Sequence, residues 1–457
     1  MTVTSATAGF HVMAKPAGPR CNLDCTYCFY LEKEKLYPEE RTFEMSDAVL
    51  DAFVRQYIEG QDAPVVSFAW QGGEPTLRGL AFFERVVALQ AQYGGGRRIE
   101  NAMQTNGILL DDRWCAFLAR NQFLVGLSVD GPAPLHDRYR VDRGGGPTFD
   151  RVMRALQLLS RHGVAFNTLT TVHRGNSDHP LEVYRFLKSI GSQYLQFIPI
   201  VERVSTAPTT GLTLVAPGAA AAGVSRWSVE PAAYGEFLCR IFDEWVRRDV
   251  GSTFVQLFDV ALESWCGLEP SLCLFAEKCG RALAIEHNGD LYSCDHFVYP
   301  EHRLGNLLNE SLGDMVAAPR QVAFGEAKRD RLPEECRACD VRFACHGECP
   351  KHRFVRSRDG SHDLNYLCGS YKRFFQHINS YMTFMAGALA EGRPPASVMA
   401  WARSNDAAAA LRNAGRNDPC PCGSGKKVKR CCGHASAGSA TSPAGESATA
   451  QTAGRRT

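Results

Sequence analysis

The segment Cys21-Asn-Leu-Asp-Cys25-Thr-Tyr-Cys28-Phe-Tyr30 is the most informative part of the chain about its fold. It places three cysteines at CxxxCxxC spacing in a loop that directly follows an apolar segment. Three thiolates bind three irons of a four-iron cluster and leave the fourth iron open for another ligand. A zinc site or free buried cysteines are the alternatives for this spacing alone. The open iron distinguishes the arrangement from an electron-carrying cluster with four cysteine ligands.

Apolar stretches alternate with helical segments through the first half of the chain. The six stretches cover residues 10–14, 65–70, 99–107, 123–131, 165–172 and 194–201. Alternation of this kind predicts a parallel sheet. Six βα units are too few for a closed eight-unit barrel, so we predict an α/β fold with an open, partial (β/α)6 barrel of TIM type. Functional residues are then expected where the strands end.

The first helix between these apolar stretches has a capping residue at its start and apolar residues along one face. Ser46 is placed to cap it, and its apolar residues share one face. That face consists of Val49, Leu50, Phe53, Val54, Tyr57 and Ile58. The helix should therefore cover the outside of the sheet.

Polar motifs follow the second, third and fourth apolar stretches. They are Gln71-Gly72-Gly73-Glu74-Pro75, Gln104-Thr105-Asn106-Gly107 and Ser128-Val129-Asp130-Gly131-Pro132, with Arg140 beyond in HDRYR. Glycines permit close backbone approach to a ligand, and an acidic side chain pairs with an ammonium group. Each motif taken alone is also compatible with an ordinary strand-end turn, and Arg140 with a solvated side chain.

Cysteines return after residue 265 in short segments. Their order is Cys273 x5 Cys279 x14 Cys294, then Cys336 x2 Cys339 x5 Cys345 x3 Cys349, then Cys368. Eight thiolates fit two fully ligated four-iron clusters, with two structural zinc ions as the alternative. The remaining isolated cysteines are Cys115 and Cys239, interpreted as packed thiols, and Cys266, whose proximity to Cys273 leaves its role open.

A last cysteine group lies near the C-terminus, in a segment too short to fold on apolar burial alone. Its members are Cys420, Cys422, Cys431 and Cys432. Four thiolates suit tetrahedral zinc, and His434 is an alternative for one ligand. The lysines and arginines between residues 426 and 430 are compatible with an acidic partner, with nucleic acid or with a solvated face.

The first cysteine loop, its aromatic pair and the strand-end motifs together resemble the radical S-adenosylmethionine (SAM) superfamily. The later cysteines, with Gly289 before Cys294, resemble the SPASM domain of peptide-modifying members. Combined with WQGGEPT and CDHF, the pattern over residues 8 to 385 resembles the anaerobic sulfatase-maturating enzymes. Residues 417–434 resemble the SEC-C zinc motif.

The resemblance implies a role for each motif. Cys21, Cys25 and Cys28 would hold the SAM-cleaving cluster. The residues facing SAM would be Tyr27, Gly72, Gly73, Glu74, Ser128, Asp130 and Arg140. The first auxiliary cluster would be held by Cys273, Cys279, Cys294 and Cys349, and the second by Cys336, Cys339, Cys345 and Cys368. Asp295, directly after Cys294, is the candidate general base.

The implied activity is oxidation of an active-site cysteine or serine of a sulfatase to Cα-formylglycine. A 5′-deoxyadenosyl radical would remove a hydrogen from Cβ, Asp295 would accept a proton, and the second electron would leave through the auxiliary clusters. The implied cofactors are three 4Fe-4S clusters, SAM and zinc. The implied partners are a peptide substrate, an electron donor such as flavodoxin or ferredoxin, and a protein bound by the SEC-C motif.

Two other functions stay open at this stage. One is a peptide maturase of the same superfamily that forms a thioether or carbon-carbon crosslink. The other, from a different class, is a non-catalytic iron-sulfur protein that binds a partner or transfers electrons.

Composition excludes some partners and locations. Lys and Arg (51) nearly balance Asp and Glu (49), so no strong field favours nucleic acid or an anionic membrane. No signal-peptide pattern or apolar run of about 20 residues is present, which predicts a cytoplasmic protein. The predicted domains are 8–230 (partial barrel), 231–385 (helical linker and SPASM domain), 386–416 (helical linker), 417–434 (zinc motif) and 435–457 (disordered tail). Residues 203–226 are expected to form a surface insertion without chemistry.

Overall fold

The computed structural model describes residues 9–205, 214–217 and 223–433. The strands in these ranges are β1 His11–Lys15, β2 Val65–Trp70, β3 Arg98–Thr105, β4 Leu124–Ser128, β5 Phe166–Val172, β6 Tyr194–Pro199, β7 Phe254–Val255, β8 Ala282–Glu286, β9 Asp290–Tyr292, β10 Arg303–Asn306, β11 Arg353–Val355 and β12 Leu364–Asn365. The α-helices are α1 Asp47–Glu59, α2 Gly79–Tyr93, α3 Asp112–Arg120, α4 Ala133–His136, α5 Phe149–Arg161, α6 Pro180–Ser189, α7 Pro231–Arg248, α8 Gln256–Trp265, α9 Leu312–Ala317, α10 Pro319–Asp330, α11 Glu334–Arg337, α12 Arg342–Cys345, α13 Cys368–Ala390 and α14 Val398–Asn413. The 3-10 helices are Leu31–Leu36, Pro75–Arg78, Asp295–Phe297, Pro300–His302, Pro350–His352, Pro395–Ser397 and Val428–Arg430.

One large sheet forms the centre of the molecule. Its strands lie in the order β10-β9-β8-β1-β2-β3-β4-β5-β6-β7. β1 to β6 are parallel neighbours in chain order, which confirms the predicted partial (β/α)6 arrangement. The segment after residue 265 joins the same sheet, because β8 pairs in parallel with β1 and continues antiparallel into β9 and β10. The chain that carries Cys294 therefore begins beside the strand that leads into the first cysteine loop.

Helix α1 forms as its pattern predicts. The Ser46 hydroxyl accepts a hydrogen bond from the Val49 amide at 3.3 Å, and the six predicted apolar residues are all buried. Phe53 packs edge-on against Phe68 and Trp70 of β2, with ring centroids 5.7 and 5.9 Å apart. The helix covers the outside of the sheet, as expected from its apolar face.

Two helices, α13 and α14, occupy the chain between the last auxiliary cysteine and the zinc motif. The break between α13 and α14 contains Pro394 and Pro395, and a proline removes a backbone donor and disfavours helical geometry in the residue before it. The chain divides after Ala396 into two compact units. Within the first unit α13 packs on α7 through Tyr371 and Tyr234, whose ring centroids lie 5.8 Å apart.

The described part of the expected surface insertion is not purely external. Leu214 is buried, forms a bridge with Val204, and donates its backbone N–H to the Glu32 carboxylate at 3.0 Å. This contact joins the insertion to the 3-10 helix that follows the first cysteine loop. His434 and the tail predicted to be disordered at 435–457 lie outside the described residues. None of the described helices combines the length and apolar content required to cross a lipid bilayer.

Candidate active site and metal centres

The first cysteine loop, residues 21–30, is held by the segment that follows α4. Asp24 donates its backbone N–H to the Val141 carbonyl, and Thr26 donates to the Tyr139 carbonyl, both at 2.9 Å. The HDRYR motif therefore supports the backbone of the cysteine loop. This places Arg140, between those two anchors, directly beneath the loop.

The three thiols of this loop suit iron ligation. Burial raises the pKa of Cys21 and of Cys25 to about 12, so their thiolates require a cationic partner. Burial also raises the pKa of Cys28. The Leu23 N–H and the Asn106 side-chain N–H point at the Cys21 sulfur, at 3.4 and 3.6 Å. Such donors stabilise a cluster-bound thiolate, and the donor set fits a three-cysteine iron site.

The Gly-Gly-Glu turn after β2 packs closely against the backbone that precedes Cys21. A Cβ atom on Gly73 would lie 1.8 Å from the Arg20 carbonyl oxygen, so only glycine fits. Gly73 donates its N–H to the Gly18 carbonyl at 2.7 Å, and Glu74 donates to the Arg20 carbonyl at 2.8 Å. Gly72 has a φ of +132°, and its Cβ would come within 3.0 Å of Gly18. The two glycines thus fix the segment immediately before Cys21.

The Glu74 carboxylate is bound by protein donors. It is 1% exposed and accepts hydrogen bonds from the Thr76 N–H at 3.1 Å and the Thr76 hydroxyl at 2.6 Å. It also accepts from the Thr105 hydroxyl at 2.7 Å and the Asn106 N–H at 2.8 Å. Burial raises its pKa despite these bonds. In this arrangement Glu74 joins the ends of β2 and β3.

Three of the predicted SAM-facing residues form one buried group. Asp130 has no exposed surface, accepts a hydrogen bond from the Tyr27 hydroxyl at 2.5 Å and pairs with the Arg140 Nε at 3.0 Å. Burial alone would raise the pKa of Asp130, but Arg140 and the neighbouring His173, whose Nε2 lies 3.7 Å from the carboxylate, outweigh burial and lower the pKa. Asp130 and Arg140 therefore form a buried ion pair, in which the Arg140 Nε has no hydrogen-bond partner among the described residues. Ser128, at the end of β4, is also buried.

Asp295 lies at the first position of the 3-10 helix that follows Cys294. Its carboxylate forms an ion pair with the Nζ of Lys15, the last residue of β1. Lys15 is 1% exposed, and its ammonium lies 4.4 Å from the centroid of the Tyr30 ring. Burial would raise the pKa of Asp295, but Lys15 outweighs it and lowers the pKa. The candidate base is thus ionised and held beside the first cysteine loop.

Several charged residues around Asp295 were not predicted. Lys351 pairs with Glu202 at 2.5 Å, and its ammonium lies 4.3 Å from the centroid of the Phe29 ring. Lys33 is buried, donates to the Val298 carbonyl at 2.9 Å, and has a pKa that burial, together with the Lys351 charge, lowers to about 7. The sequence signal for Lys15 and Lys33 is a lysine within an apolar or aromatic stretch, HVMAK and FYLEK.

The later cysteines form the two groups implied by the resemblance. One cavity is lined by Cys336, Cys339, Cys345 and Cys368. In the other group, burial raises the pKa of the Cys294 thiol, and the nearby Cys273 and Cys279 thiols raise it further. Burial likewise raises the pKa of Cys349, with a contribution from Cys294. Each group therefore brings four soft ligands into one neighbourhood, and its donor set fits a fully ligated four-iron cluster. Cys336 and Cys349 are buried, whereas Cys273 is exposed.

Two buried cations accompany these thiols. Lys328 donates to the Cys273 carbonyl at 2.5 Å, and Arg353 donates to the Lys328 carbonyl at 2.5 Å and the Glu348 carbonyl at 3.0 Å. Burial lowers the pKa of both side chains, and nearby thiols oppose that shift. Their position compensates the negative charge that cluster-bound thiolates carry.

The second unit contains a compact four-cysteine site. The sulfurs of Cys420, Cys422, Cys431 and Cys432 all lie within 4.8 Å of one another. The Cys422–Cys431 distance is 3.4 Å and the Cys431–Cys432 distance is 3.9 Å. A tetrahedral zinc with Zn–S bonds of about 2.3 Å separates its sulfurs by roughly 3.8 Å. The four sulfurs therefore have the spacing that one zinc ion requires.

Family models match three parts of the chain. The radical SAM superfamily matches residues 16–187, the SPASM iron-sulfur cluster-binding domain matches residues 273–340, and the SEC-C motif matches residues 416–433. Cys345, Cys349 and Cys368 lie beyond the matched part of the SPASM model.

Whole-chain comparisons point to one group of enzymes. A serine-type anaerobic sulfatase-maturating enzyme of Bacteroides thetaiotaomicron is 47% identical over 85% of this chain and 94% of its own length. A cysteine-type enzyme of Clostridium perfringens is 34% identical over 80% of this chain and 95% of its own length. The solved structure of native anSMEcpe with bound AdoMet and Cp18Cys peptide aligns with a TM-score of 0.73 at 32% identity, covering 84% of this chain and 100% of that chain. The chain thus belongs to the anaerobic sulfatase-maturating enzymes, radical SAM enzymes with a SPASM domain, and it also carries a SEC-C motif.

Proposed function

We propose that this chain oxidises an active-site serine or cysteine of a sulfatase to Cα-formylglycine. The observation that carries the proposal is the ionised Asp295 carboxylate, held by Lys15 at the end of β1 where the first cysteine loop begins. This arrangement provides a proton acceptor next to a radical-generating site. Because the serine-type relative shares 47% identity and the cysteine-type relative 34%, we expect a serine target to be accepted.

The proposed cofactors are SAM, three 4Fe-4S clusters and one zinc ion. Cys21, Cys25 and Cys28 would hold the first cluster. The auxiliary clusters would be held by the Cys273, Cys279, Cys294 and Cys349 set and by the Cys336, Cys339, Cys345 and Cys368 set. Zinc would be held by Cys420, Cys422, Cys431 and Cys432. When bound, the first cluster and SAM would supply hydrogen-atom abstraction from the substrate carbon, and the auxiliary clusters would take the second electron of the two-electron oxidation.

The protein contributes a base and a shaped surface. Asp295 accepts the proton from the substrate hydroxyl or thiol, and Lys15 keeps its carboxylate ionised and oriented. The SAM-facing surface is assigned to Tyr27, Gly72, Gly73, Glu74, Ser128, Asp130 and Arg140. Since Glu74, Asp130 and Arg140 are bonded to protein partners, we assign them the task of holding this surface rigid.

Partners and domain boundaries follow from the same assignment. The substrate is a sulfatase or another peptide, the electron donor is a flavodoxin or ferredoxin, and the SEC-C motif recruits a protein partner. We propose functional domains at 8–230 for the radical SAM barrel, 231–385 for the linker and SPASM module, 386–416 for a helical linker, and 417–434 for the zinc motif. The division of the described chain after Ala396 falls within the proposed helical linker.

The test is anaerobic turnover of the iron-reconstituted full chain. SAM, a reductant and a peptide with a Ser-x-Pro-x-Arg or Cys-x-Pro-x-Arg core are supplied, and peptide mass is followed beside 5′-deoxyadenosine. We expect the serine peptide to lose the mass of two hydrogen atoms, and the cysteine peptide to exchange sulfur for oxygen as well. Deoxyadenosine without a peptide change would contradict the sulfatase assignment. Absence of SAM cleavage by iron-loaded protein would contradict the radical mechanism.

A further inference from the structure

Lys33 occupies an unusual position in the 3-10 helix after the first cysteine loop. Its neighbours Glu34 and Lys35 are exposed, whereas Lys33 is 2% exposed. Burying an ammonium is costly unless it is bonded in its site. A lysine directed inward at this place therefore indicates a specific contact that compensates for the cost.

The contact is with the segment that follows Asp295. The Lys33 Nζ donates to the Val298 carbonyl at 2.9 Å and lies 3.1 Å from the centroid of the Tyr299 ring. Val298 is completely buried and Tyr299 is 8% exposed. The Lys33 side chain thus contacts both the backbone at Val298 and the ring of Tyr299, in the segment that follows Asp295.

Lys33 is bound differently from the other buried lysines nearby. Lys15 and Lys351 each pair with a carboxylate. Lys33 has no such ion pair within the described ranges, and its contacts are a carbonyl and an aromatic face. These two contacts fix where residues 298 and 299 lie.

The same interface also contains apolar contacts. Tyr30 packs with Ala284, Tyr292 and Val298 in one buried cluster, against which Cys28 is placed. The apolar contacts of this cluster are non-directional, whereas the bond from Lys33 to the Val298 carbonyl is directional and sets the register.

We propose that Lys33 is a positioning residue that sets the register between the first cysteine loop and the Cys294–Asp295 turn. This inference rests on the proposed function for its catalytic consequence. The radical forms at the first cysteine loop, and the proton acceptor lies on the Cys294–Asp295 turn. A shift between these two segments would therefore allow SAM cleavage to continue while substrate oxidation slows. Misplacement of about 1 Å between reacting groups costs up to roughly a hundredfold in rate.

The experiment compares Lys33→Met with Lys35→Met, its exposed neighbour, in the iron-loaded full chain. We expect Lys33→Met to cleave SAM but to raise the ratio of 5′-deoxyadenosine to formylglycine at least about tenfold. Hydrogen exchange followed by mass spectrometry should show faster exchange in residues 294–300 and unchanged exchange in α5. Lys35→Met should match the wild type in both measurements.

A second variant keeps the test decisive if Lys33→Met loses iron. Tyr299→Leu removes only the aromatic half of the contact and should shift both readouts in the same direction by a smaller factor. The inference would be overturned if both variants kept the wild-type hydrogen exchange in residues 294–300 and the wild-type ratio of 5′-deoxyadenosine to formylglycine. If the wild type forms no formylglycine, the proposed function fails, and the exchange measurement alone still decides the role of Lys33.

Discussion

The Asp295 carboxylate forms an ion pair with Lys15, although the two residues belong to different modules of the sequence. Lys15 ends β1 of the barrel, and Asp295 follows the β8–β9 hairpin that extends the same sheet. The pairing is possible because β8 lies directly beside β1. It brings the candidate proton acceptor to the strand end that precedes the first cysteine loop.

Replacement of Asp295 by asparagine should separate the two halves of the reaction. The amide cannot accept a proton, so we expect peptide oxidation to fall by about a hundredfold or more while SAM cleavage continues. The measurement is formylglycine and 5′-deoxyadenosine from the same reaction. Asp314→Asn, an exposed acid on α9, serves as the control. Wild-type oxidation by Asp295→Asn would remove this residue from the mechanism.

Iron content distinguishes ligand cysteines from packed ones. With three four-iron clusters the wild type should hold about 12 irons per chain, and Cys336→Ala should hold about eight. Cys266→Ser, outside both groups of four, should keep the wild-type content. The measurement is iron and sulfide per chain after anaerobic reconstitution. Equal loss in Cys266→Ser would require a different ligand set.

The zinc site should be independent of iron. Cys420→Ser removes a buried sulfur from the four-cysteine site, and we expect about one zinc per chain to be lost with iron content unchanged. Elemental analysis of purified protein gives both metals at once. Loss of iron in this variant would show that the site holds iron instead of zinc.

Gly73→Ala should disturb the first cysteine loop. The added Cβ would lie 1.8 Å from the Arg20 carbonyl oxygen, so the backbone before Cys21 must move. We expect loss of the first cluster, about four irons, and loss of SAM cleavage. Gly387→Ala is the matched control, because this exposed glycine of α13 has open space around it and alanine should stabilise the helix by about 0.5–1 kcal/mol. Retention of all iron by Gly73→Ala would contradict the tight packing.

The buried Lys33 should make stability depend on pH. Burial lowers its pKa to about 7, so above that pH the unfolded chain holds a proton that the folded chain lacks. Stability conferred by this group therefore rises with pH, by roughly 1.4 kcal/mol per unit between about pH 7 and about pH 9. The free energy of unfolding of the wild type should gain this amount relative to Lys33→Met in anaerobic urea titrations. Parallel pH profiles for the two proteins would contradict the lowered pKa.

The sequence by itself determined the fold class and the ligand chemistry. The six parallel strands follow from local apolar patterning, and the first helix follows from Ser46 and its apolar face. The cysteine spacings identified iron and zinc as the metals to test, because both metals bind thiolates. The number of residues between these cysteines can be read directly from the sequence. The apolar patterning, the helix cap and the cysteine spacings all lie within short segments of sequence. They can be recognised without knowing which residues far apart in the chain are in contact.

Only the folded structure shows which partners the buried charged side chains have. It turned Glu74 toward the end of β3, paired Asp130 with Arg140, and brought Lys15 to Asp295. It also placed β8 beside β1, which a βα pattern does not specify. Each of these contacts joins segments far apart in the chain, and a buried charge takes whichever partner the packing brings within hydrogen-bonding distance. No local periodicity records that choice, so only the folded arrangement reveals it.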